Sequence, residues 1–139
     1  MIVLRFVDTN ILLYFVSGDP ADSAKQLTAG ELLDHEDLCL SVQVLQEFYV
    51  QATRPTRADP LTHQEALDLI ASWKRYPIQE MTLELMDNAL AARARWHISY
   101  WDAAILEAAR AMGCAQLLSE DLADRQDYGG VQVINPFVD

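Results

Sequence analysis

Short apolar, β-rich runs alternate with helical segments along the whole of this 139-residue chain, and few architectures accommodate that rhythm. The runs fall at residues 2–7 (IVLRFV), 38–41, 78–81, 115–119 and 131–134. The first reads as a parallel strand buried on both faces. Thr9–Phe15 starts a short helix, and Asp19-Pro20 opens another to about Leu33, with aspartate as N-cap and proline at the first helical position. Ser41 caps a helix from Val42 to about Thr53. Thr62-His63-Gln64-Glu65 is a capping box opening a helix to about Tyr76, which Pro77 breaks. Thr82 caps Leu83–Trp96, where Leu83, Met86, Leu90 and Ala94 roughly align. Ser99–Asp102 repeats the capping-box pattern before an alanine-rich helix, Trp101–Met112, that Gly113 ends. The alternation predicts an α/β fold with a mainly parallel five-stranded sheet and helices on both faces. The length fits one domain over residues 1–139, with no repeat or interdomain linker.

That topology gives four scattered acids a common address. Right-handed crossovers put every strand-to-helix connection on one side of a parallel sheet, and such sheets place their sites at the carboxyl ends of the strands. Asp8 in FVDTNIL, Glu47 in SVQVLQEF, Asp102 in SYWDAAILEAA and Asp121 in LLSEDL all stand just past a strand or at the head of the next helix. Four carboxylates gathered there repel one another unless a cation lies between them. Oxygen ligands of this kind suit Mg²⁺ or Mn²⁺, which points to a metal-dependent enzyme acting on phosphate esters. Taken singly, Asp8 and Asp102 read equally as helix caps, Glu47 as a solvated glutamate off the apolar helix face, and Asp121 as the start of a polar loop.

Composition removes several classes. Ten Lys and Arg against 21 Asp and Glu give a net charge of −11, against a nucleic-acid coat protein but not against a nuclease. An acidic surface also suits a basic protein partner. No window approaches the roughly 18 continuous apolar residues of a membrane span, and MIVLRFVDTN turns acidic too soon for a signal peptide. Cytoplasmic residence is the expectation, with no membrane association. Cys39 and Cys114 are read as buried free thiols, and the isolated histidines give no zinc spacing.

The ordered set of acids resembles the PIN-domain nucleases, in particular the VapC-type toxins of bacterial toxin–antitoxin pairs. Asp8 in DTNILLY is similar to the family's opening aspartate, and Glu47 falls early in the helix after the second strand, where the family has its glutamate. Asp102 in WDAAILEAA resembles the aspartate before an alanine-rich helix. LLSEDL resembles the final Ser/Thr-x-Asp motif through Ser119 and Asp121, and the tail DYGGVQVINPF is similar to one toxin subgroup. The likeness spans essentially the whole chain. It implies a single PIN domain folded as a three-layer α/β/α sandwich, with Mg²⁺- or Mn²⁺-dependent endoribonuclease activity leaving a 5′-phosphate and a 3′-hydroxyl. It also implies a homodimer, and a cognate antitoxin whose tail fills the active-site groove. Asp8, Asp102 and Asp121 are then expected to hold the ion directly or through water. Glu47 would be a water-mediated ligand, a general base or a ligand of a second metal, and Glu120 an outer ligand.

Thr9, Asn10 and Ser119 are candidates to orient a carboxylate, a metal-bound water or a phosphate, against plain turn and cap duty. Arg54 and Arg57 flank a proline loop and read chiefly as surface arginines, with RNA phosphates or the antitoxin as the functional alternative. Trp73, Trp96 and Trp101 are expected to pack in the core or a dimer interface rather than stack on bases. A phosphoacceptor receiver domain would show two adjacent acids after the first strand and a late lysine, whereas Asp8 stands alone and no lysine follows Lys74. A haloacid-dehalogenase-type phosphatase would show DxD where this chain has Asp8-Thr9-Asn10. The remaining alternatives are a non-catalytic binding module on the same scaffold and a solitary RNA-processing nuclease.

Overall fold

The computed structural model describes residues 3–138, so Ile2, expected to begin the first strand, lies outside the described residues. Strands β1 (Arg5–Val7), β2 (Leu38–Ser41), β3 (Ile78–Gln79), β4 (Gln116–Leu118) and β5 (Gln132–Ile134) form one five-stranded sheet in the order β3-β2-β1-β4-β5. Every neighbouring pair is parallel, rather than most of them. The helices are α1 (Thr9–Phe15), α2 (Ser23–Leu33), α3 (Val42–Ala52), α4 (His63–Trp73), α5 (Leu83–Trp96) and α6 (Tyr100–Ala111). The segment opened by Asp19-Pro20 is a 3₁₀ turn, Pro20–Asp22, before α2 proper begins.

The strand order fixes the layers. The chain steps from β1 to β2 to β3 in one direction, then crosses back to β4 and on to β5. Right-handed crossovers therefore lay α1–α4 on one face and α5–α6 on the other. The packing agrees: α1 meets α2 and α3, α3 meets α4, and α5 meets α6. Phe6, Val7, Leu38, Leu40, Leu117 and Val133 carry the core along the strands, each fully or almost fully buried.

Local chemistry sets the helix starts. The Ser41 hydroxyl accepts the Val44 N–H at 3.2 Å. Both bonds of the Thr62–Glu65 capping box form, at 3.1 and 2.9 Å. Helix α4 stops at Trp73, short of Tyr76, because Lys74–Tyr76 turn toward the Pro77 break. Helix α5 corrects the expected alignment. Its buried stripe is Leu85, which joins the main core, and Ala89 and Ala92, which cluster with Ala103 and Ala104 of α6. Leu83 and Leu90 instead point outward, 77% and 50% exposed. Alanines set the α5–α6 contact because they let two helices approach closely, and hydropathy alone favours the leucines.

Residues Ala103 to Ala109 of α6 are all buried, which brings Glu107 inside with them. Arg110 answers it, with Nε at 3.1 Å from Glu107 Oε1, and its other nitrogens donate to the carbonyls of Tyr128 and Gly129 at 2.6 Å each. Gly129 and Gly130 carry φ of 67° and 101°, which side-chain-bearing residues rarely adopt. Arg110 thus ties α6 to the turn that launches β5. Arg110→Ala is expected to destabilise the fold by about 2 kcal/mol, since it leaves Glu107 buried without its cation. Chemical denaturation measures this, and a change within 0.5 kcal/mol, the range of about ±0.5 kcal/mol seen at ordinary surface positions, would refute that role.

Cys39 and Cys114 are both buried and free, with sulfurs 3.2 Å apart. The hydrogen bond to Cys114, then burial, pushes the Cys39 thiol well above its ordinary range.

Candidate active site

Where strand order reverses in an open α/β sheet, the diverging connections leave a crevice at the carboxyl ends. Here that point is β1, whose neighbours on either side, β2 and β4, carry the flanking loops. Val7 pairs with Leu118, so Asp8 and Ser119 leave the sheet side by side. The Asp8 N–H donates to the Leu118 carbonyl at 3.0 Å, and the Ser119 hydroxyl donates to Asp8 Oδ2 at 2.6 Å. Asp8 also caps α1, its Oδ1 accepting the Thr9 N–H at 2.6 Å. The cap and the candidate ligand are the same carboxylate.

Glu47 sits in the second turn of α3, and both its oxygens are held. Thr9 Oγ1 donates to Oε2 at 2.9 Å, and Gln43 Nε2 to Oε1 at 2.7 Å. Thr9 therefore bridges β1's end to α3, the positioning role weighed for it. Ser119 does the same on the other side, since its hydroxyl oxygen accepts the Asp121 N–H at 3.1 Å. Asp102 occupies the first turn of α6, its N–H capped by the Ser99 hydroxyl at 3.1 Å. The reciprocal bond from its carboxylate to the Ser99 N–H is not formed, so the box is half closed.

The electrostatics join these acids. Burial raises the Asp8 carboxyl to about 7 from its usual 3.8, against the lowering effect of Ser119 and the Thr9 N–H; the charges of Asp121 and Glu47 push it further up. Asp102 is also raised, first by burial, with Ser99 opposing and the same two charges adding. Asp8 and Asp102 thus feel the charges of the same two neighbours.

Glu120 faces elsewhere. Lys25 Nζ and the Tyr14 hydroxyl each lie 2.5 Å from its oxygens, with the Lys25 ammonium over the Tyr14 ring. Burial raises Glu120, but those two partners together hold it below the ordinary carboxylate range. Arg57 lines a different cleft, with Tyr14, Asp19 and Asp59.

Among the described residues no three His, Cys, Asp or Glu side chains converge into a ready-made metal cage. The donor set still fits a hard cation that keeps much of its water, as Mg²⁺ does when one or two carboxylates hold it. Asn10 supplies the structural test. Its Nδ2 lies 3.4 Å from Asp8 Oδ2, while its Oδ1 is buried without a hydrogen-bond partner. A buried acceptor without a donor, beside a carboxylate, is a site that the water shell of a bound ion would satisfy.

Sequence reasoning passed over Gln43. It is buried, and its Nε2 also reaches the Trp101 carbonyl at 3.2 Å, linking α3 to α6. Its spacing of four residues before Glu47 on one helix was the available signal.

The PIN domain family model matches residues 5–125. The chain belongs to the PIN-domain family. No curated protein sequence is a significant match. Solved PIN-like structures superpose over most of the chain. VapC20 of Mycobacterium tuberculosis, described as a Sarcin-Ricin loop cleaving toxin, gives a TM-score of 0.65 at 21% identity, covering 84% of this chain and 91% of that one. A toxin–antitoxin complex from Klebsiella pneumoniae gives 0.68 at 19%, covering 95% and 97%. VapBC2 from Rickettsia felis, bound to a promoter DNA fragment, gives 0.64 at 17%, covering 96% and 100%. At these identities the shared property is the fold. No helix of the described residues is long and apolar enough to cross a membrane.

Proposed function

We propose that residues 1–139 form one PIN domain that acts as a divalent-metal-dependent endoribonuclease, the toxin of a toxin–antitoxin pair in the cytoplasm. The observation that carries this reading is Asp8: a buried carboxylate at the switch point, in the field of Glu47 and Asp121, with the orphaned Asn10 oxygen beside it. Family membership supports nuclease chemistry, and the toxin–antitoxin neighbours support the biological setting.

In this reading Asp8, Asp102 and Asp121 hold Mg²⁺ or Mn²⁺, directly or through water. A bound divalent ion supplies a nucleophilic water at neutral pH and neutralises phosphate charge. The protein's share is positioning. Ser119 fixes Asp8 and the Asp121 backbone together, and Asn10 offers an acceptor to a water. Glu47, held by Thr9 and Gln43, would complete the pocket as a general base toward the attacking water, a water-mediated ligand or a ligand of a second ion.

Purified protein incubated with single-stranded RNA is expected to leave 5′-phosphate and 3′-hydroxyl ends with Mg²⁺ or Mn²⁺, and to be silent in EDTA. Asp102→Asn is expected to lose at least 100-fold in rate, more than the roughly 10–100-fold typical of groups that merely support a metal ligand. Cleavage that survives both treatments would refute the reading.

Two partners complete it. The outward Leu83 and Leu90 of α5 suit a homodimer. The acidic pocket suits a basic side chain from an antitoxin tail, whose inhibition should weaken as salt rises.

A further inference from the structure

The three tryptophans divide. Trp73 is 2% exposed and packs edge-on against Phe48, and Trp96 is half-buried against Tyr128, both as expected. Trp101 is 62% exposed, propped edge-on by Tyr100 at 5.0 Å. It directly precedes Asp102 on α6. Its carbonyl accepts from Gln43 Nε2, the nitrogen that also donates to Glu47. One amide therefore locks the base of this open indole to the acid centre.

Across from it, α3 presents Gln46, Val50 and Gln51, and with Gln43, Glu47 and Trp101 these line a cleft of about 490 Å³. That is within the range of about 300–1,000 Å³ typical of small-ligand clefts. Its lining holds no Lys or Arg, so it is not built for a phosphate. It offers one aromatic plate, one aliphatic group and exposed amides that both donate and accept. An uncharged planar ring with a polar edge matches that chemistry, whereas an apolar peptide anchor would want a continuous apolar floor. We propose that Trp101 is the stacking platform for a nucleobase of single-stranded RNA beside the scissile phosphate, with Gln46 and Gln51 facing the base edge. The proposal rests on the nuclease reading above and adds a specificity-determining site to it.

Stacking on an aromatic side chain is sequence-tolerant and strong enough to measure, and amides can read a base edge through paired donors and acceptors. The test compares wild type, Trp101→Ala and Trp101→Phe in two assays, after circular dichroism confirms the fold. Steady-state cleavage of single-stranded RNA in Mg²⁺ is expected to show KM raised roughly 10- to 100-fold in Trp101→Ala, with kcat changed less, and largely restored in Trp101→Phe. Titration of a short single-stranded RNA in metal-free buffer is expected to quench indole fluorescence in wild type and not in Trp101→Phe. Wild-type KM in both variants, with quenching retained, would overturn the base site while leaving the nuclease reading intact. Trp101-dependent quenching without any wild-type cleavage would keep the base site and sink the nuclease reading. If Trp101→Ala spares RNA but loosens an inhibitory peptide, the cleft belongs to the peptide and the proposal falls.

Discussion

Asp8→Asn is expected to silence RNA cleavage and, at pH 8, to make the protein more stable. Held at about 7 rather than 3.8, the carboxyl resists ionisation in the folded state by as much as roughly 4 kcal/mol. Asparagine removes that penalty but exchanges one acceptor for a donor, forfeiting about 1 kcal/mol of hydrogen bonding to Ser119 or the Thr9 N–H. A net gain of about 3 kcal/mol, or roughly 10 °C in Tm, remains. At pH 5 the wild-type carboxyl is already neutral, so the gain vanishes or reverses. A structural aspartate would behave oppositely, its loss destabilising the fold. Melting curves at the two pH values and a cleavage assay decide the matter. A variant that melts lower at pH 8, or still cuts, would overturn the assignment.

Metal and proton should compete for the same carboxylates. Asp8's folded-state value lies above its unfolded one, so between about 4 and 7 the folded chain holds a proton that the unfolded chain has released. The stability from that neutral carboxyl is complete below the unfolded value and lost as pH rises through about 7. Asp102, also raised, acts in the same sense. Without metal, Tm should therefore fall from pH 5 to pH 8. Added Mn²⁺ should reverse the fall, by about 2.7 kcal/mol at a hundred times its Kd at pH 8, and do little at pH 5. The cleavage profile should rise through a midpoint near 7 when metal is scarce and shift to lower pH as metal is added. Equal metal shifts in Tm at both pH values would show that the ion binds elsewhere.

The alternation of strands and helices could be read because Ser41, Thr62–Glu65 and Thr82 mark real helix starts, whereas Asp19-Pro20 caps the 3₁₀ turn before α2. The acids could be placed because a parallel sheet leaves only one edge for strand-to-helix connections. Helix facing was harder. On α5 the leucines looked like the core stripe, but tertiary packing buried the alanines. Glu120 and Asp121 were adjacent, and no local rule showed that Lys25, far earlier in the chain, would draw Glu120 away. Trp101 was invisible for the same reason: exposure is decided by what fails to cover a side chain, and no sequence pattern records it.

The pairing of Val7 with Leu118 has a consequence in time as well as in space. A ribosome delivers Asp8 and Glu47 early, but Asp8's partner Ser119 stands 111 residues downstream. Until β4 emerges, β1 has β2 on one side and an open edge on the other, and the acid centre lacks both Ser119 and Asp121. Contacts this distant in sequence form late. A product cut short before β4 therefore carries half a centre, and the cluster is complete only once Ser119 and Asp121 have been made. On the nuclease reading proposed above, no fragment ending before Asp121 would carry a complete acid site.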